Sequence, residues 1–131
     1  MHILPLYAAI LALLFVCLSA NIVRLRRHLK ISIGHADNNT MLRAIRVHAN
    51  FAEYVPITLV LILLIELQNT NAIVIHGLCA SLLIGRCLHA YGLSHTSRNF
   101  LFRSIGMVLT FTTIIASAAY LLTSHLLGLL M

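Results

Sequence analysis

Residues 43–67 read "RAIRVHANFAEYVPITLVLILLIEL". The second half is an apolar run suited to lipid, whereas the first carries Arg43, Arg46, His48, Asn50 and Glu53. Charges at the mouth of a spanning segment are expensive to bury, so they are either an ordinary wet helix end or a site. At 100° per residue, Arg43, Arg46, Asn50 and Glu53 fall within an arc of about 80°. Ile45, Val47, Ala49, Phe51 and Ala52 take the other directions, and His48 points roughly opposite the polar arc. Arginines snorkel to phosphates at helix ends. A carboxylate two turns in gains nothing from anionic lipid, and Glu53 therefore turns the balance toward a site.

Composition sets the solvent around this helix. Of 131 residues, 60% are hydrophobic and 9% charged, with a mean hydropathy of +0.97. Soluble domains carry about 25% charged residues, so this is an integral membrane protein. A span needs about 20 residues to cross about 30 Å of hydrocarbon. The chain therefore holds four helices and short loops in a single domain, 1–131, with nothing left over for a soluble one.

The spans are expected at about 3–23, 42–67, 72–91 and 100–123. The first, "ILPLYAAILALLFVCLSANIV", has no basic residue before it and "RLRRHLK" directly after it, the reverse of a cleavable signal peptide. "ISIGHADNNT" is a loop whose Asn39 or Thr40 can cap a helix starting near Met41. "QNTN" is a tight turn and "GLSHTSRN" the last loop. Pro56 falls inside the second span, where it should kink the helix, and Glu66 ends that span as a solvated interfacial residue. Cys17, Cys79 and Cys87 lie in apolar runs with no CxxC spacing, which makes them packing residues. The eight histidines form no HxxxH pair on a helix, so no metal site is expected.

All nine basic residues, Arg24, Arg26, Arg27, Lys30, Arg43, Arg46, Arg86, Arg98 and Arg103, lie in or beside the first and third connections. The positive-inside rule then puts both connections in the cytoplasm and both termini on the non-cytoplasmic side. The net charge of +6 does not indicate nucleic acid, because basic clusters flanking spans account for it and no aromatic or glycine-rich nucleic-acid motif accompanies them.

Arg86 and His89 in "IGRCLHAYGL", and Arg103 in "NFLFRSIG", belong to the same membrane face. Three helices thus bring Arg46, Asn50, Glu53, Arg86, His89 and Arg103 into one layer, mostly cationic with one carboxylate. Such a layer suits an anionic ligand that also carries an amine. Arginines take carboxylates, Glu53 an ammonium, and Asn50 an amide.

With its R-x-H-x-N-x-x-E-Y-x-P pattern, "LRAIRVHANFAEYVPITLVLIL" resembles the second-helix signature of the membrane-associated proteins in eicosanoid and glutathione metabolism, the MAPEG family, in its small bacterial branch. "GRCLHAYGL" and "FRS" fall at the matching places, and the likeness covers essentially the whole chain. The resemblance implies an all-α four-helix bundle assembled as a homotrimer in the bacterial inner membrane, with glutathione as co-substrate in clefts between neighbouring subunits.

Carried over by position, Arg46, Asn50, Glu53 and Tyr54 resemble the glutathione contacts of the second helix, and Arg86 that of the third. His89, one turn on, joins them as a ligand-binding position. Arg103 resembles the arginine that faces the thiol, where a cation stabilises the nucleophilic thiolate. Leu93 stands where several relatives place a tyrosine. The function implied is conjugation or reduction of small lipophilic electrophiles arriving from the bilayer. The alternative is a non-catalytic lipid-binding or scaffold trimer of the same fold. A proton-coupled exporter fits less well, because the first span carries no charge.

Overall fold

A computed structural model of the chain describes residues 3–94 and 100–130, excepting the side chains of Leu93, Ser94 and Leu130; the loop expected at "GLSHTSRN" lies largely outside them. Four helices account for the described chain: α1 (Leu4–Leu29), α2 (Asn39–Glu66), α3 (Ala72–Ser94) and α4 (Phe100–Leu130). Each is long and apolar enough to cross a membrane. Several run past the expected spans. α1 continues through "RLRRHL", where Arg26, Arg27 and His28 occupy the last turn and favour the negative end of the helix dipole. α4 continues to Leu130.

The helix ends correct two expectations. α2 starts at Asn39, and the cap is Asn38, in extended backbone, with its side chain accepting from the Met41 amide; neither Asn39 nor Thr40 has this role. The reason is reach, since an N-cap oxygen meets the amide three residues on, and Oδ1 of Asn38 lies 3.0 Å from Met41 N. At the opposite end Glu66 is more than a solvated interfacial residue. Its Oε1 accepts from the amides of Ile3 at 2.6 Å and Leu4 at 3.1 Å. α1 lacks a side-chain cap of its own, so a carboxylate from α2 satisfies its first-turn donors and meets the positive end of its dipole.

Leu4, Leu11, Phe51, Val55, Ile62, Ile65, Ile75, Cys79 and Leu82 form the buried core of α1, α2 and α3. Of the cysteines only Cys79 is buried, whereas Cys17 and Cys87 are exposed. His48 faces α1, as its angular position implies: its Nε2 lies 3.0 Å from Ser19 Oγ and its ring stacks on Phe15 at 4.7 Å. α3 and α4 approach until their backbones touch. A Cβ on Gly106 would stand 2.5 Å from Gly85 O and 2.7 Å from His89 N. Small residues allow such close packing where lipid supplies no hydrophobic drive.

A basic cleft between α2, α3 and α4

The end of the bundle that carries the arginines holds a cavity of about 470 Å³ lined by Leu42, Arg43, Arg46, Ala49, Asn50, Glu53, His89 and Arg103. The polar arc of α2 supplies one wall, α3 contributes His89, and the first turn of α4 contributes Arg103. Arg46, Glu53 and Arg103 are exposed on the single chain, and Asn50 is half-buried. The Arg103 guanidinium sits 5.9 Å from the centroid of the Phe100 ring, a cation–π contact that leaves its hydrogen-bond donors usable.

Glu53 and Glu66 are thirteen residues apart on α2, about 20 Å at 1.5 Å per residue. With Glu66 at one interface, Glu53 falls about 10 Å inside a hydrocarbon layer of about 30 Å. An exposed carboxylate at that depth needs water, a ligand or a second protein surface around it.

Arg86 takes a different place from the other arginines. It is 1% exposed and lies behind the cleft wall. Its Nη1 donates to Asn50 Oδ1 at 2.7 Å, and its Nη2 to Thr110 Oγ1 at 2.5 Å and, at longer range, to Gly106 O and Met107 Sδ. One side chain therefore joins α2, α3 and α4. Arg86 Nε and His89 Nδ1 are buried without a hydrogen-bond partner among the described residues.

Five of the sequence-derived site residues, Arg46, Asn50, Glu53, His89 and Arg103, thus share the cavity, and Arg86 reaches it through Asn50. Tyr54 is not among the lining residues. Its ring packs edge-on against Phe111 of α4 at 5.3 Å, while its carbonyl accepts from Thr58. Leu93 lies outside the described side chains. Arg43 lines the cleft as well, as its place in the polar arc allowed. Thr110 and Gly106 also contact Arg86, and their sequence signal is weak: a hydroxyl one turn beyond a glycine in an apolar span.

Comparison with known proteins gives the family. Residues 4–123 match the MAPEG family. The chain is 36% identical over 110 residues to the inner membrane protein YecN of Escherichia coli strain K12, covering 84% of this chain and 82% of the relative. YecN of Escherichia coli O6:H1 strain CFT073 matches to the same extent. No solved structure matches the chain. Four spanning helices and an inner-membrane relative describe a multi-pass protein of the inner membrane. With the family matched from the first turn of α1 to the far part of α4, and the signature of α2 lining the cleft, the chain belongs to the MAPEG family.

Proposed function

We propose that this protein is a homotrimer that binds glutathione in the basic cleft and delivers its thiolate to lipophilic electrophiles from the bilayer. One observation carries the reading: a single cavity at one end of the bundle gathers Arg43, Arg46, Asn50, Glu53, His89 and Arg103. Glutathione presents two carboxylates, an ammonium, two amides and a thiol. The arginines match the carboxylates, Glu53 the ammonium, and Asn50 an amide or carboxylate oxygen. Exposure of Glu53 about 10 Å inside the hydrocarbon, beside the exposed Arg46 and Arg103, supports assembly, because a second copy closing the open side of the cleft removes charged surface from lipid. The number three comes from the family. The one-sided basic residues orient the cleft to the cytoplasm and both termini away from it.

In this reading Arg103 lies beside the thiol. The thiol proton passes to water, the guanidinium stabilises the resulting thiolate, and sulfur attacks the electrophilic carbon. With a chloronitroaromatic acceptor, a carbon–sulfur bond forms as the carbon–chlorine bond breaks and chloride leaves. Purified protein supplied with glutathione and this acceptor is expected to yield the thioether faster than buffer does. Bound glutathione with no product above the buffer rate would favour the non-catalytic scaffold.

A further inference from the structure

We infer that Arg86 is a positioning residue that fixes the carboxamide of Asn50, so that the cleft presents an N–H donor at this point. An asparagine side chain is nearly symmetric in shape, and either end fits the same space. Arg86 removes the symmetry. A guanidinium has five donors and no acceptor, so it can donate only to the carbonyl end of Asn50. The 2.7 Å contact from Nη1 to Oδ1 has the length of a charge-assisted hydrogen bond. With Oδ1 turned inward, the amide nitrogen is left toward the cavity that Asn50 also lines. The site then takes a ligand acceptor here, a carboxylate or peptide carbonyl, and disfavours a donor.

Three observations separate Arg86 from a direct ligand contact. It is 1% exposed and absent from the cavity lining. Both terminal nitrogens are engaged, by Asn50 on α2 and by Thr110 and Gly106 O on α4. The backbone contact between Gly85 and Gly106 holds α4 close enough for Thr110 to accept. An arginine buried without a carboxylate among the described residues is costly, and setting a ligand-facing amide is a use for it that a hydrophobic replacement lacks.

The inference rests on the glutathione reading only for its ligand arm. Calorimetric titration with glutathione would compare the unmutated protein with Asn50→Ala, with Arg86→Gln, whose amide can donate or accept and so no longer selects one end of Asn50, and with the double variant. Each single change should weaken binding roughly tenfold, and the double variant should bind no more weakly than Asn50→Ala. Losses that multiply in the double variant would show that Arg86 touches the ligand itself and overturn the inference. Asn50→Asp keeps an acceptor for Arg86 and removes the outward donor, so it should preserve thermal stability and lose affinity; unchanged affinity would also overturn it. The ligand-free arm follows the side-chain amide signal of Asn50 in protein labelled with nitrogen-15 at asparagine, assigned by its loss in Asn50→Asp. The signal should shift in Arg86→Gln or, should that variant fail to fold, in Thr110→Val. An unmoved signal would refute the inference even if the unmutated protein bound no glutathione, an outcome that by itself would remove only the glutathione reading.

Discussion

Alanine at Gly106 should separate α3 from α4 and disturb the cleft. The new Cβ would lie 2.5 Å from Gly85 O, 2.7 Å from His89 N and 2.9 Å from His89 Cβ, whereas ordinary contact begins at 3.4 Å. The helices must therefore part by up to about 0.9 Å, the difference 3.4 − 2.5. Two of the three obstacles are backbone atoms with no rotamer to change, so the cost falls in the range of about 1–3 kcal/mol for overpacking. The helix-propensity gain of about 0.5–1 kcal/mol on replacing glycine offsets only part of it. The same movement would stretch the 2.5 Å bond from Arg86 to Thr110 toward the limit of hydrogen bonding. Gly85→Ala is milder, with its nearest contacts at 3.0 and 3.1 Å, and Gly77→Ala meets nothing within 4 Å. Thermal unfolding in detergent, followed by circular dichroism, should rank Gly77→Ala at or above the unmutated protein, Gly85→Ala below it and Gly106→Ala lowest. Equal stability of Gly106→Ala and Gly77→Ala would refute the backbone contact.

Glu66→Ala removes the carboxylate that caps α1 and should destabilise the protein by about 1–2 kcal/mol, with faster hydrogen exchange at the Leu4 amide; unchanged exchange there would dismiss the cap. Arg103→Leu should leave glutathione affinity largely intact, since Arg46 and Glu53 still hold the ligand's ends. It should also abolish the thiolate absorbance of bound glutathione near neutral pH, and equal absorbance in both proteins would show that Arg103 is not the activating cation. Reporters at the C-terminus should behave as periplasmic and those inserted at residues 32–38 as cytoplasmic, and a cytoplasmic C-terminal reporter would reverse the topology. Mass measurement in detergent should give a trimer, whereas monomer alone would exclude a site shared between subunits.

The spanning helices were legible because hydropathy and length respond to the bilayer, which acts on every residue of a span alike. The polar arc of α2 was legible because Arg43, Arg46, Asn50 and Glu53 repeat at helical spacing against an apolar background. Their convergence with His89 and Arg103 followed from the charges sharing one membrane face. Depth within the bundle was not legible. Arg86 and Arg103 look alike in sequence, yet one is buried behind Asn50 and the other is exposed on the cleft, because the difference depends on how closely Gly85 and Gly106 bring α3 to α4. The role of Glu66 is hidden from the sequence for a related reason. Its role depends on the first turn of α1, more than sixty residues away in sequence, and local pattern carries no such information.

The proposed function depends on glutathione binding in the cleft beside Asn50 and Glu53. Calorimetric titration of the purified, detergent-solubilised protein with glutathione tests it most directly, with Glu53→Gln measured alongside. Saturable binding to the unmutated protein is expected, weakened in Glu53→Gln by the roughly 1.5–3 kcal/mol of a charge-assisted hydrogen bond. No binding, or binding indifferent to Glu53, would contradict it.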